Sequence, residues 1–270
     1  MTTQLRERAK ARRTRLDLTP AAERVEVRTS TTGDASTPGL RAMLLASGPD
    51  RARVALVPDG ALLLAGDGVR LDVHVGAGTR LELVEPSGTV AFDMRGGRAT
   101  WDVRIELAPG ATLVWAGEPF VVAAGARVRR STEVHLAEGA RLALRETLVW
   151  GRHRERGGHL DQRWSAYGPD GSPVLVEHLL LADTAHRPGI LGGHRAVGSV
   201  IALGPLVRPV PGGPDRPSHH DSPDGVDDPD VEGRLDLEDG GTVWRLLAHE
   251  AHRAVPHDAW RRTLARLDEQ

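Results

Sequence analysis

A mainly β domain of stacked turn-and-strand units is the fold class this sequence predicts, on three observations. A short phrase recurs, made of Gly, a small residue, a free position, then Leu or Val. It reads Gly78-Thr79-Arg80-Leu81, Gly110-Ala111-Thr112-Leu113, Gly125-Ala126-Arg127-Val128 and Gly139-Ala140-Arg141-Leu142. Each copy turns the chain ahead of alternating apolar residues. The alternation itself is the second observation: Leu71, Val73 and Val75 fall on one face of a strand, and Arg70, Asp72 and His74 on the other. Third, turn signals recur roughly every ten to fifteen residues from Val25 to Tyr167, the rhythm of a sandwich, barrel or solenoid. A broad β surface of this kind suits holding a partner protein better than enclosing a small molecule.

Taken in order, residues 1–24 are polar and predict a loosely held N-terminal extension, followed by a single β domain over 25–270. Strands are predicted at Arg51–Val57, Arg70–Val75, Arg80–Val84, Thr100–Leu107, Ala111–Ala116, Arg127–Leu136 and Arg141–Trp150. Leu160–Tyr167 and Pro173–Leu181 flank Gly168-Pro169-Asp170-Gly171, a turn sequence that predicts a hairpin. His194–Leu203 reads as a further strand. Residues 205–229 are rich in Pro, Gly and Asp without apolar periodicity, which predicts a long exposed or disordered loop. Val231–Leu237 and Thr242–Ala248 form a final hairpin. Pro256–Leu267 reads as a short helix near the C-terminus, with Pro in its first turn and Trp260, Leu264 and Leu267 on one face.

Composition narrows the function classes. An apolar fraction of 40% supports a real core, and a net charge of −2 gives no general basis for binding nucleic acid. Lys10 is the only lysine, so positive charge is almost all arginine. Either a GC-rich genome or selection for bidentate contacts to partner carboxylates accounts for that. The absence of cysteine removes disulfide frameworks, thiolate metal sites and cysteine nucleophiles. No signal-peptide pattern and no apolar run of membrane-spanning length is evident, so a soluble cytoplasmic protein is expected.

Several phrases carry candidate chemistry. Pro58–Asp67 places two Gly-containing turns around a short apolar run, read as a hairpin in which the Asp67 side chain satisfies its own turn amides. Glu118 precedes Pro119, which pushes it to an extended backbone and projects it from a rigid loop. In Arg145–Arg152 a strand ends in a Gly-Arg turn. With Leu144, Thr147 and Val149 inward, Glu146 would lie among apolar neighbours and need an arginine partner; the alternative is an exposed strand acid. His219-His220-Asp221 with Asp224, Asp227 and Asp228 could hold a divalent metal but is better explained as a solvated acidic loop. His249-Glu250-Ala251-His252 has the wrong spacing for a zinc-protease helix. No phosphate loop, nucleophile elbow or triad is present in the sequence.

In this order the phrases resemble the urease accessory protein UreD (UreH) family, from about Ala52 to Leu181. The family's Gly-Gly-x-x-Gly-Gly-Asp element matches Gly60 through Gly66-Asp67, with Asp59 and Ala65 where Gly is usual. Its Gly-Ala-x-Leu-x-Trp-x-x-x-Pro run matches Gly110–Trp115 with Glu118-Pro119 beyond, and its Glu, strand, Leu-Gly-Arg pattern matches Glu146 with Gly151-Arg152. Gly157-Gly158 replaces the family's later Gly-Glu, so this is a divergent member.

The resemblance implies a non-enzymatic scaffold with an irregular β-helix-like stack of strands. It also implies that the protein binds UreF and, through UreF, the GTPase UreG, docks on apo-urease and supports nickel insertion. No tightly bound cofactor is expected, only nickel in passage. Weak, fast-exchanging binding suits imidazole and carboxylate at partial coordination. The expected acids along such a route are Asp67, Glu118, Glu146 and Glu177, with Gly60, Gly66, Pro119, Gly151 and Arg152 as structural or partner-binding motif residues. A structural role for each acid, with Arg152 or turn amides as partners, is the competing expectation. A stand-alone β-helix enzyme acting on polysaccharide and a structural β-solenoid remain as alternatives.

Overall fold

The computed structural model describes residues 11–60, 62–205, 230–238 and 240–269. Among these described residues, sixteen strands and one helix follow in chain order: β1 Arg12–Thr19, β2 Glu26–Thr32, β3 Gly39–Ser47, β4 Arg51–Asp59, β5 Gly68–Val75, β6 Arg80–Val84, β7 Thr89–Ala91 and β8 Ala99–Leu107. They continue as β9 Thr112–Val122, β10 Arg127–Leu136, β11 Arg141–Trp150, β12 His159–Tyr167, β13 Pro173–Leu181, β14 Ala196–Leu203, β15 Val231–Leu237, β16 Gly241–Ala248 and α1 His257–Asp268. Sheet A runs β13-β12-β10-β8-β5-β1-β2, and sheet B runs β15-β16-β14-β11-β9-β6-β4-β3, with β7 also paired to β9.

The chain winds between the two sheets. β5, β8, β10 and β12 lie parallel in sheet A, and β4, β6, β9 and β11 lie parallel in sheet B. Each coil crosses from A to B through one copy of the glycine phrase. Gly78, Gly110 and Gly139 have φ of 64°, 66° and 68°, a left-handed backbone that glycine adopts without a Cβ penalty. They stack: Gly78 N donates to Pro109 O at 3.0 Å, and Gly110 N to Glu138 O at 2.9 Å. Gly125 belongs to the opposite corner, where its carbonyl accepts from Met94 N at 3.1 Å. The uneven spacing of the repeats is thus two interleaved series, one per corner. Antiparallel strands close both ends: β2 and β3 at one, β13 to β16 at the other.

Leucine, valine and a few aromatics from the facing sides of both sheets fill the space between them, as with Leu71, Ile105, Val134 and Leu160 against Leu83, Leu113, Leu142 and Ile201. The strand, hairpin and helix expectations hold within a few residues, and the structure is the mainly β, solenoid-like stack expected. Three corrections follow. Arg12–Thr19, expected within a loose extension, is strand β1, paired to both β2 and β5. Leu16 and Leu18 are 0% exposed, and each buried leucine contributes about 1.5–3 kcal/mol, enough with two hydrogen-bonded neighbours to order a polar-looking segment. The expected hairpin around Pro58–Asp67 is a crossing loop in which Leu63 bonds Val90 and Phe92 instead. On β11 the inward residues are Leu142, Leu144, Glu146 and Leu148, while Thr147 and Val149 face the opposite way. The segment 206–229 and its His219, His220, Asp221, Asp224, Asp227 and Asp228 lie outside the described residues.

The outer side of sheet B is apolar too. Val114, Ala143, Val200, Ala202 and Trp244 are covered by Ala259, Trp260 and Leu267 of α1. Asp258 in the first turn and Arg266 in the last complement the helix dipole. No helix among the described residues is long and apolar enough to cross a membrane.

Candidate functional site

A polar layer runs through the otherwise apolar space between the sheets. It arises where inward positions of neighbouring coils carry polar residues in register. In sheet A, Arg130 lies between Trp101 and Gln162, and Trp164 opposes Glu177. In sheet B, Glu146 opposes Ser199, which opposes Arg245.

The centre is a closed triangle. Arg130 Nη1 donates to Glu146 Oε2 at 2.7 Å and to Gln162 Oε1 at 3.0 Å, and Gln162 Nε2 donates to Glu146 Oε1 at 3.1 Å. Glu146 is 5% exposed and Gln162 4%. Arg130 also sits 5.0 Å above the Phe120 ring. Farther along, Arg245 pairs with Glu177 and lies within electrostatic range of Glu146. Two of the expected acids, Glu146 and Glu177, are therefore brought into one layer. The arginine that Glu146 requires is Arg130, not Arg152.

Beside the triangle, β9 carries a bulge. Its register against β11 shifts between Arg145↔Ala116 and Thr147↔Pro119, so β9 has one residue more than its partner. The extra residue switches the inward set from Leu113 and Trp115 to Phe120 and Val122. Gly117 permits the close approach this needs, since a Cβ there would sit 2.6 Å from Arg145 O. Pairing with β11 resumes at Pro119, opposite Thr147. Glu118 projects from the bulge and reaches Arg145 Nη2 at 3.5 Å.

Sequence reasoning missed Glu85, which closes the bulge from the gap between β6 and β7. Its carboxylate accepts from Trp115 Nε1 at 2.8 Å and from Glu118 N at 3.1 Å. Desolvation pushes the Glu85 carboxyl above the ordinary range, against the pull of those two donors. The only sequence signal is an acid directly after a strand and before Pro86. A cavity of about 20 Å³ lies here, lined among others by Glu85, Glu118, Arg130, Arg145, Glu146 and Trp164, so it touches both sides of sheet B. That volume is about one water molecule. Among the described residues, Trp101 Nε1, Trp164 Nε1 and Arg130 Nε meet no acceptor, which gives this interior three unused donors.

The Glu85 shift has a pH consequence. A carboxyl raised in the folded state binds its proton there more readily than in the unfolded chain. Its contribution to stability is therefore present below the unfolded value and lost as pH rises through the folded one. Glu85→Gln should flatten the decline in stability above pH 4.5, the reference value for the group, measured by urea denaturation in steps of pH. An unchanged slope would show that Glu85 is solvated.

The other expected residues lie elsewhere. Asp67 closes a turn ahead of β5: its Oδ2 accepts from Leu64 N at 2.7 Å, and partial burial raises its carboxyl. That is the turn-amide role, outside the polar layer. Gly60 and Gly66 hold φ of 107° and 89° in the same loop. Gly151, at φ 86°, opens the turn after β11, and a Cβ there would stand 2.4 Å from Glu155 O. Arg152 grips Glu155 through Nε and Nη2 at 2.8 and 2.9 Å, holding that carboxyl down at about 2. Among the described residues, no group of three or more His, Cys, Asp or Glu side chains is arranged to hold a metal ion.

The profile of the UreD urease accessory protein family matches residues 12–268. Urease accessory protein UreD 1 of Streptomyces griseus is 55% identical over 204 residues, covering 75% of this chain and 72% of the relative. Urease accessory protein UreD 2 of Saccharopolyspora erythraea is 36% identical over 167 residues, covering 60% and 58%. Urease accessory protein UreD of Frankia alni is 41% identical over 171 residues, covering 56% and 57%. The chain thus spans less than two thirds of the length of the latter two. With a profile match across all of its described strands, the chain belongs to the UreD urease accessory protein family.

Proposed function

We propose that this protein is a non-catalytic cytoplasmic scaffold of urease maturation. It binds UreF and, through it, the GTPase UreG, docks on apo-urease and supports insertion of nickel. The observation that carries the mechanism is the interior polar layer. Its carboxylates, Glu85, Glu146 and Glu177, are held by arginine or N–H donors, and Glu118 lies at its outer edge. With no cysteine in the chain, oxygen and nitrogen ligands remain. A carboxylate already engaged by an arginine offers nickel partial coordination and ready release, which suits passage rather than storage. Asp67 stands apart and keeps the turn.

A polysaccharide-cleaving enzyme would need paired carboxylates in an aromatic-lined groove. All six tryptophans, Trp101, Trp115, Trp150, Trp164, Trp244 and Trp260, are buried, which disfavours that alternative.

The test is urease activation. Urease subunits are expressed with UreF, UreG and nickel, with and without this chain, and nickel per active site is measured. Loading should require the chain, and the chain should co-purify with UreF. Glu118→Ala and Glu177→Gln should lower nickel content at unchanged thermal stability, while Asp67→Asn should not. Full loading by the Glu118, Glu146 and Glu177 variants alike would remove the nickel route; full loading without the chain would remove the accessory role.

A further inference from the structure

The two sheets do not end together. Where β13 closes sheet A, Glu177 pairs with Arg245 of β16 across the gap, and Arg245 is the register partner of Gly233 on β15. β13 therefore stands over β16, and β15 extends sheet B one strand farther. Val231 and Leu235 share the inward face of β15, opposite Leu247 and Val243 of β16, whose side chains belong to the core. Yet Val231 is 41% exposed and Leu235 58%. No described strand of sheet A lies beyond β13 to cover them. β15 is a ledge, and the edge of β13 stops short above it to leave a notch.

That edge of β13 has no strand beside it among the described residues, and the outward Val176 and Leu180 are exposed. A free edge with exposed apolar side chains is a template for pairing with another chain. What fits the notch is one more strand in sheet A, running against β13 with apolar side chains toward the gap. β15 is itself such a strand.

The winding fixes the directions. Residues Ala123 to Ala126 turn β9 back into β10, so the strands of one coil run oppositely in the two sheets. β11 is parallel to β9, and β12 to β10. β13 is antiparallel to β12. β14 is antiparallel to β11, β16 to β14 and β15 to β16. β13 and β15 therefore run in opposite directions.

We infer that this end of the stack is a self-association surface on which two copies of the chain interlock, each seating its β15 against the free edge of the other's β13. The symmetry is a two-fold axis between the sheets and along the strands, which keeps every residue at its own height. The partner's Gly233 then falls beside Glu177, and the two strands meet antiparallel. Leu175 faces the partner's Leu235 and Leu179 its Val231, all toward the gap. On the outer side His178 faces the partner's Glu232, and Val176 lies along the apolar stem of its Arg234. Cross-strand pairs of these kinds stabilise a sheet. Glu232 has no ion pair among the described residues. His178 holds Asp161 through Nε2 at 2.8 Å, which leaves Nδ1 for the incoming carboxylate. At the centre, a Cβ on Gly233 would meet nothing within 4 Å, so Glu177 has room beside it while keeping Arg245. The same arrangement covers Val231 and Leu235 of both copies and removes both free edges. An isologous contact of this kind closes on itself as a dimer. It stands or falls separately from the role in urease maturation.

Sedimentation velocity of the full-length protein over a dilution series should show a reversible dimer. Leu235→Glu should raise its dissociation constant about tenfold or more, because it buries a carboxylate without a partner. Tm should not fall, since the side chain is exposed in the single chain. Leu45→Glu changes a leucine of similar exposure on β3, at the other end of sheet B, and should leave the dimer unchanged. The chain has no cysteine, so engineered pairs report without background. Leu179→Cys mixed with separately purified Val231→Cys should give a disulfide-linked dimer on mild oxidation, and Leu179→Cys mixed with Leu45→Cys should not. A monomer at every concentration overturns the proposal. So does a dimer that Leu235→Glu leaves intact, and so does equal cross-linking in the control mixture.

Discussion

Arg130→Met is expected to lower stability by about 3–5 kcal/mol, because it strands Glu146 between the sheets without its cation. Gln162 would be left as the partner of a buried carboxylate, and an amide cannot neutralise it. Glu146→Leu should cost a similar amount by leaving Arg130 buried over Phe120. The double variant should recover most of the loss, since replacing a buried pair by packed apolar side chains is often neutral or stabilising. A double-mutant cycle by urea denaturation reads the coupling directly. Near-additive losses would mean that the triangle contributes little and that the layer is wetter than its burial implies. The double variant also separates folding from function. If it is stable and still fails to support urease activation, the polar layer serves delivery. If it activates urease normally, the layer serves only the choice of fold.

The triangle also shows what the sequence could and could not reveal. The glycine phrases were legible because a left-handed corner selects glycine strongly and because each corner repeats once per coil. The hairpins at Gly168–Gly171 and near Gly240 and the helix with Trp260, Leu264 and Leu267 were legible for similar local reasons. Strand β1 was readable in principle, since Leu16 and Leu18 alternate with Arg15 and Asp17, but its arginines dominate the composition. Arg130, Glu146 and Gln162 were not legible as a group. Sixteen residues separate each from the next, and only the winding of the coils places them together. The bulge at Gly117-Glu118 hid the inward set, because one extra residue on β9 breaks the period-two pattern there while β11 keeps it. Glu85 was missed because its partners, the Trp115 indole and the Glu118 amide, exist only once that bulge has formed.

Gly198→Ala should be among the most damaging single-methyl changes available in this chain. Gly198 faces outward on β14 opposite Thr147, and the segment leading into α1 crosses directly over it. A Cβ would stand 1.4 Å from Ala254 O and 2.5 Å from Ala254 C. Both are backbone atoms, so no rotamer change relieves the clash; the crossing segment must lift. Lifting it uncovers Val149, Ala196 and Ala248, which pack against Ala254, and loosens the hold of α1 on Val200 and Trp244. The expected loss is at or above the upper end of the about 1–3 kcal/mol typical of overpacking, a fall of several degrees in Tm for a domain of this size. Limited proteolysis should then cut between Ala248 and His257 before it cuts the sheets. The functional consequence follows from Arg145, which reaches Glu118 on one side and lies 5.7 Å from the Trp260 ring of α1 on the other. If the bulge is the outer mouth of the polar layer, the helix holds one wall of that mouth in place. Gly198→Ala should then reduce urease activation more steeply than its loss of folded protein accounts for. Activation that tracks the folded fraction alone would mean that α1 is only a cover for the outer face of sheet B.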